Sequence, residues 1–297
     1  MAGHEEIHIP SGQKERLEEF GLGDYHDFLD PKDAEVISEV RDRKVYCLSG
    51  NGSGPAFYLK VFKNPGGNRP LGQIAHGLVP QSLAEVEQRH LSWLAEQGFR
   101  APKVAAWGAS MKGWSEETSF LLTEPLVGME SLEDWLSKAV VRLKPRSFQK
   151  EKRLRLEAAG GLLAALHRKG FHHPYPYLRH FYVPAFEGSG SEGSIELSEI
   201  AIIDVHSARI GRDVSLWQAQ RALSELFLSS LRAPLSQADR LRFLLAYAGG
   251  PPDRVLLEGV LNRIRSKLVR HPNRYRWARE MIEQLPFPSA MTKLLGS

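Results

Sequence analysis

Residues 56–62 read AFYLKVF, and the lysine in the middle of that run decides how the rest of the chain is read. The run is short, apolar and flanked by turn residues, which predicts a β-strand. Alternation then sets Ala56, Tyr58 and Lys60 on one face. A lone lysine in such a strand ordinarily sits at a sheet edge or snorkels its amine to water. Whether this one does so depends on the helix that follows it.

Residues 81–97, QSLAEVEQRHLSWLAEQ, have helical periodicity: Leu83, Val86, Leu91 and Leu94 recur on one face, and Gly98 closes the pattern. At about 100° per residue, Glu87 falls roughly 40° from Leu83, inside the apolar arc, while Glu85 points the other way. A carboxylate on a buried face is costly unless paired. Lys60, one strand upstream, is the candidate partner. A lysine on the third strand joined to a glutamate on the next helix is how protein-kinase-like enzymes hold the α- and β-phosphates of ATP.

The surroundings fit that frame. AEVISEV (34–40), the turn RDRK (41–44) and VYCLS (45–49) precede the lysine strand, with a glycine turn GNGSG (50–54) between, as an antiparallel meander would. A loop is expected at 63–73. Two further strands, KVAAWGA (103–109) and TSFLLTEPL (118–126), follow the helix. Before all of these, a short helix is expected near Gln13–Phe20. Past about residue 130 the chain turns helical. Ser131 caps SLEDWL, with Asp134 in the box position, and 150–169 form a helix apolar around much of its circumference. A flexible turn (187–196) and a buried strand EIAIIDVH (199–206) come next, then four helices to the end. The expected fold class is α+β: a bilobal, protein-kinase-like fold with a small antiparallel β lobe, one inserted helix, and a larger helical lobe. The expected boundaries are 1–33 for an N-terminal extension, 34–125 for the β lobe and 126–297 for the helical lobe.

Composition narrows the partners. With 297 residues, 42% of them hydrophobic, the chain can build a proper core. No run of roughly 18 apolar residues could cross a bilayer, and the charged N-terminal stretch lacks the apolar core of a signal peptide. Cys47 is the only cysteine, which excludes a disulfide framework and CxxC zinc sites and predicts a reducing, cytoplasmic-type setting. The net charge of +4 is concentrated in 142–155 and 263–279. Such runs ordinarily are solvated helix faces; the alternative is an anionic partner such as a membrane surface or a phosphorylated glycan. No nucleic-acid module is present in the pattern.

Several segments together resemble the Kdo/WaaP-type lipopolysaccharide kinases, protein-kinase-like enzymes acting on lipopolysaccharide core sugars. They are FYLKVF, AEVEQRHLSWL, SFLLTEPLVGMESLEDWL, YLRHF (177–181), IIDVHSARI (202–210) and the helical stretch from Leu223 to Gly249, spanning roughly 36–250. The resemblance implies ATP and Mg²⁺ as cofactors. It implies a lipopolysaccharide core or other anionic glycolipid as acceptor, and a cytoplasmic site of action, with peripheral contact at the inner membrane left open. Carried over, Lys60 binds phosphates and Glu87 orients it. Glu124 and Leu126, in the hinge, meet the nucleotide. Asp204 is a catalytic residue and holds the metal, and His180 stands where protein kinases carry the second metal ligand.

The resemblance is broken in FHHPYPYLRHFYV (171–183). In the kinase loop H-R-D-x-x-x-x-N the catalytic aspartate lies five residues before the asparagine. Counting back from His180 reaches Tyr175, with His173 at the motif's first position. Phenols ordinarily titrate near 10 and make poor bases at neutral pH. His173 or His172 could instead accept a proton, or serve only as scaffold. A metal site from His172, His173 and His180 is disfavoured, because adjacent residues in extended backbone face opposite ways. The turn 41–44 also lacks the glycines of a phosphate loop. Three readings stand: a sugar kinase with an altered loop, a pseudokinase that binds without transfer, and another nucleotide-dependent transfer on the same fold.

Overall fold

The structure is a computed structural model, and it describes residues 4–50, 55–63, 81–185, 195–273 and 275–283. The turns expected at 50–54 and 187–196 and the loop expected at 63–73 lie largely outside those residues. By packing, the chain divides into two units, Met1–Val127 with Asp204–His206, and Gly128–Ile203 with Ser207–Ser297.

The first unit is built on a six-stranded antiparallel sheet. Its strands are β1 (His4–His8), β2 (Glu35–Val40), β3 (Arg43–Ser49), β4 (Pro55–Lys63), β5 (Val104–Lys112) and β6 (Ser115–Thr123), in the spatial order β1-β5-β6-β4-β3-β2. Val40 pairs with Arg43, so the first hairpin turns on Arg41 and Asp42 alone. Arg43 and Lys44, read from the sequence as turn residues, therefore belong to β3. The helices of this unit are α1 (Lys14–Glu18), α2 (Tyr25–Leu29) and α3 (Leu83–Glu96).

Alternation in β4 sends Phe57, Leu59 and Val61 to a core shared with Leu17 and Leu22 at the end of α1 and with Tyr25 and Phe28 of α2. Phe28 stacks on Phe120 at 4.1 Å, and the Tyr25 hydroxyl donates to the Thr118 carbonyl. Residues that the sequence sets apart as an extension thus supply an edge strand and part of the sheet's cover. The helix α3 is capped by Ser82, whose hydroxyl accepts the Glu85 N–H at 3.1 Å. Its buried face carries Ala84, Val86, Glu87, His90, Leu91 and Leu94.

The second unit holds α4 (Leu132–Arg142), α5 (Pro145–Arg168), α6 (Leu216–Ser230), α7 (Gln237–Ala248), α8 (Arg254–Arg270) and α9 (Arg276–Glu283). Short strands thread among them: β7 (Met129–Ser131), β8 (Phe171–His172), β9 (Phe181–Pro184), β10 (Ala201–Ile202) and β11 (Arg209–Ile210). The buried strand expected over 199–206 is confined to β10, because Leu197–Glu199 form a 3₁₀ turn and Asp204 takes a left-handed φ of 59°. No helix among the described residues is long and apolar enough to cross a membrane.

Two glycines set close approaches here. A Cβ on Gly160 of α5 would lie 2.6 Å from the Phe243 carbonyl of α7, so these helices touch backbone to side. Gly170 has φ +77°, and a Cβ there would lie 2.0 Å from the Gly211 carbonyl.

The basic run at 142–155 is not simply a solvated face. Lys152 and Arg155 are buried on the inward side of α5, because each finds an acid: Lys152 Nζ lies 2.7 Å from Asp239 of α7, and Arg155 lies 2.6 Å from Glu151. Arg155 also covers the Trp135 ring at 4.1 Å. Burial alone would raise the Asp239 pKa, but the bonds from Lys152 and Ser236 outweigh it and hold the carboxyl below its ordinary 3.8. A folded-state pKa below the unfolded one stabilises the fold above about 3.8, and that stability is lost as pH falls through the folded value. Asp239→Asn is therefore expected to cost about 3 kcal/mol at neutral pH in urea unfolding. The deficit against the unsubstituted protein should shrink in acid. A deficit that stays constant down to the acid limit would show that the carboxylate charge is not what matters.

Candidate functional site

Lys60 projects from the face of β4 opposite the Phe57–Leu59–Val61 core, toward α3. Its Nζ donates to both oxygens of Glu87, at 2.8 and 2.9 Å, and to Asp204 Oδ1 at 2.9 Å. The same Asp204 oxygen accepts from Arg43 at 3.2 Å and lies 2.8 Å from His206 Nδ1. Burial works against the lysine's charge, but the Glu87 and Asp204 carboxylates prevail and hold its pKa above the ordinary 10.5. Lys60 is thus a fixed ammonium held between two acids. The lysine predicted to find Glu87 does so, and it reaches Asp204 as well.

The segment that carries Asp204 is pinned to α3. His90 Nδ1 lies 2.8 Å from the Val205 carbonyl, and burial pushes the imidazole pKa down to about 4. At neutral pH this histidine is uncharged, with Nδ1–H donating. Asp204 keeps its left-handed backbone, unusual outside glycine, at the point where these bonds converge.

Other expected site residues belong to different neighbourhoods. Glu124 accepts from Gln13 at 2.9 Å and from Arg16 at 3.2 Å, while its own N–H donates to the Lys103 carbonyl. Leu126 is half-buried just beyond β6. No hydrogen bond among the described residues joins either one to Lys60.

Within the second unit, the loop that opens on β8 folds its aromatic rings together. His173 is buried and its ring stacks on His180 at 5.5 Å, nearly parallel. Its Nδ1 faces the Tyr175 N–H at 3.4 Å. His180 Nδ1 lies 2.9 Å from the Tyr175 carbonyl, an arrangement that puts the proton on Nδ1 and the lone pair on Nε2. The His180 carbonyl accepts the N–H of Ile203, the residue before Asp204. The Tyr175 hydroxyl accepts from Arg221, whose guanidinium lies 4.8 Å from the centre of the same ring. His172 turns away toward His167, at 6.3 Å, and burial, assisted by Arg221, pushes its pKa down to about 4. Adjacent histidines therefore do face opposite ways, and His172, His173 and His180 are not gathered around one point.

A metal or nucleotide fits the first cluster chemically. Glu87, Asp204 and His206 each offer one ligand atom, and these atoms lie within 4.8 Å of one another. This is the sole such group among the described residues. The Lys60 ammonium and Arg43 guanidinium supply donors of the kind that hold phosphate oxygens. Sequence reasoning missed Arg43, His206, His90 and Arg221. His206 was legible as the second residue after Asp204. Nothing local marks Arg43, whose role depends on a pairing across 161 residues.

A strand lysine bonded to a helix glutamate and to an aspartate after a short strand, in a chain that also holds a separate helical unit, defines a protein-kinase-like fold. The chain matches a solved structure described as WaaP in complex with acyl carrier protein, with a TM-score of 0.55 and 20% identity over 94% of this chain and 98% of that one. A family model described as the lipopolysaccharide kinase (Kdo/WaaP) family matches residues 73–247, more than half of the chain. The chain belongs to that family. It is 26% identical to the lipopolysaccharide core heptose(I) kinase WaaP of Escherichia coli K12, over 75% of this chain and 80% of the relative. It is 27% identical to the WaaP of Pseudomonas aeruginosa, over 81% of this chain and 88% of the relative.

Glu87 is 2% exposed, and without it the partly buried Lys60 ammonium keeps only Asp204 as its acid. Glu87→Leu is expected to cost about 3 kcal/mol, and Lys60→Met in the same chain should recover part of that. Urea unfolding of both single variants and the double variant measures the coupling, expected above about 1 kcal/mol. Additive costs would mean that the two side chains do not interact.

Proposed function

We propose that this chain is an ATP-dependent kinase that phosphorylates a sugar hydroxyl of a lipopolysaccharide core glycolipid. The observation that carries the reading is the Lys60 ammonium fixed by Glu87 and Asp204. In this reading residues 34–125 form the nucleotide lobe and 126–297 the lobe with the catalytic loop. Lys60, aided by Arg43, binds the phosphates of ATP, and Glu87 keeps the lysine in place. Backbone groups of Glu124 and Leu126 meet the base. Asp204 and His180 hold Mg²⁺, with the His180 Nε2 lone pair set by the bond at Nδ1. The ion, when bound, offsets the charge on the phosphate oxygens.

In the transfer, the bond between the γ-phosphorus and the bridging oxygen breaks so that ADP departs with that oxygen, a bond to the sugar oxygen forms, and the hydroxyl proton passes to solvent or to the transferred phosphoryl group. A loose transition state puts most of the work on positioning and electrostatics, so the lack of an aspartate at 175 slows such a step without forbidding it. His173 is a weaker candidate for the base than the sequence suggests. It is buried, and its Nδ1 lone pair faces the Tyr175 N–H.

One observation favours a second reading. Tyr175, at the position of the family's aspartate, has its hydroxyl bonded to Arg221, which suits a loop that shapes a surface more than one that moves a proton. In that reading the chain is a pseudokinase that binds nucleotide or a partner without transfer.

Mg·ATP at about a hundred times its Kd should stabilise the protein by about 2.7 kcal/mol, read as a rise in melting temperature. Lys60→Met should abolish the rise. No rise in the unsubstituted protein would overturn the kinase reading and any other nucleotide-dependent transfer, and would leave only a pseudokinase that binds a partner. A rise without any transfer of γ-phosphate to core glycolipid, together with turnover in Tyr175→Asp, selects the pseudokinase.

A further inference from the structure

Helices α6 and α8 of the second unit present a patch that the kinase reading leaves unused. Trp217, Arg221 and Glu225 are spaced four apart on α6, and Arg263 and Lys267 four apart on α8, so each set lines one helical face. The two faces meet. Arg263 lies 4.3 Å from the centre of the Trp217 ring, Arg221 lies 6.0 Å from it, and Lys267 is ion-paired with Glu225. Lys267 takes Glu225, while no ion pair joins Arg221 or Arg263 to a carboxylate among the described residues. Trp217 is nevertheless 56% exposed, so much of a large flat ring faces solvent beside those cations.

Like charges held together raise each other's free energy. Burial first and the Arg221 charge second hold Arg263 below its ordinary range. Lys267 is also lowered, by burial and then by Arg221 and Arg263 against the pull of Glu225. An anion entering the patch would relieve that repulsion. An exposed indole needs no anion, but it is a suitable platform for a ring with an apolar face and polar edges.

We propose that Trp217, Arg221 and Arg263 form an acceptor subsite for a sugar ring bearing a phosphate or a carboxylate, the ring lying on the indole and the anion held by the two guanidinium groups, with Lys267 buried behind them against Glu225. Arginine suits either anion, since its planar fork pairs with two oxygens at once. Arg221 ties the patch to the catalytic-type loop, because it also holds the Tyr175 hydroxyl. The acceptor role rests on the kinase reading, whereas the binding chemistry does not.

The test uses the full chain without nucleotide, so its outcome is independent of whether Mg·ATP binds. Glucose 1-phosphate, glucuronate, glucose and inorganic phosphate are titrated in turn while the Trp217 indole N–H resonance, assigned by Trp217→Phe, is followed by NMR. The charged sugars should shift that resonance and bind about tenfold more tightly than glucose or inorganic phosphate. The tighter of the two identifies the anion, and either order supports the subsite. Arg263→Gln should weaken binding about tenfold, while Arg263→Lys retains most of it. Trp217→Ala should bring glucose 1-phosphate down to the affinity of inorganic phosphate, measured by calorimetry. Equal binding of glucose and glucose 1-phosphate, no shift with either charged sugar, or unchanged affinity in Arg263→Gln would each overturn the proposal.

Discussion

The first unit depends on one partly buried cation. Lys60 stands on the face of β4 turned away from the unit's aromatic and aliphatic core, and it is tolerable there only because Glu87 and Asp204 both accept from it. Those two bonds join elements far apart in the chain: the sheet, the helix α3, and a three-residue segment that otherwise follows the second unit. Arg43 and His206 add donors to the same Asp204 oxygen, and His90 holds the next carbonyl. The result is a polar centre whose positive groups are already oriented, so a phosphate would find them in place with little rearrangement.

The second unit handles buried charge by the same rule but to a different end. Lys152 with Asp239 and Arg155 with Glu151 are closed pairs, deep in the helix packing, and nothing about them invites a ligand. The patch around Trp217 differs because its charges do not cancel and its aromatic ring is exposed. Between these extremes lies the loop after β8, where imidazole and phenol rings pack on one another and Arg221 anchors the tyrosine. The two prolines restrict the backbone of 174–176, and the 3₁₀ turn Leu178–His180 carries the imidazole on which His173 stacks.

What could be read from the residues follows from which forces are local. Helical period identified α3 and the Ser131 cap identified α4 closely, and the placement of Glu87 inside an apolar arc was enough to name its partner. Asp204 was legible because it ends a run of apolar residues. The strand β1 was not, since HEEIH is almost wholly polar and its pairing with β5 is decided by a partner some hundred residues later. The sequence set 1–33 apart as an extension with one short helix, and only the sheet face that Leu17, Leu22, Tyr25 and Phe28 cover reveals their role. The charges of α5 misled for the converse reason: a basic run reads as solvated until the acids that neutralise it, on the same helix and on α7, are brought into contact. Arg43 carries no signal at all without the fold.

The account's central claim is that Lys60 is a permanently charged group held ready for an anion. Nitrogen-15 NMR of the lysine side chains, with the Lys60 Nζ resonance assigned by Lys60→Met, tests it in solution. The account predicts that this nitrogen stays an ammonium beyond the ordinary lysine value of 10.5 and that its resonance moves when Mg·ATP is added. Deprotonation well below that value, or a resonance indifferent to nucleotide, would contradict it.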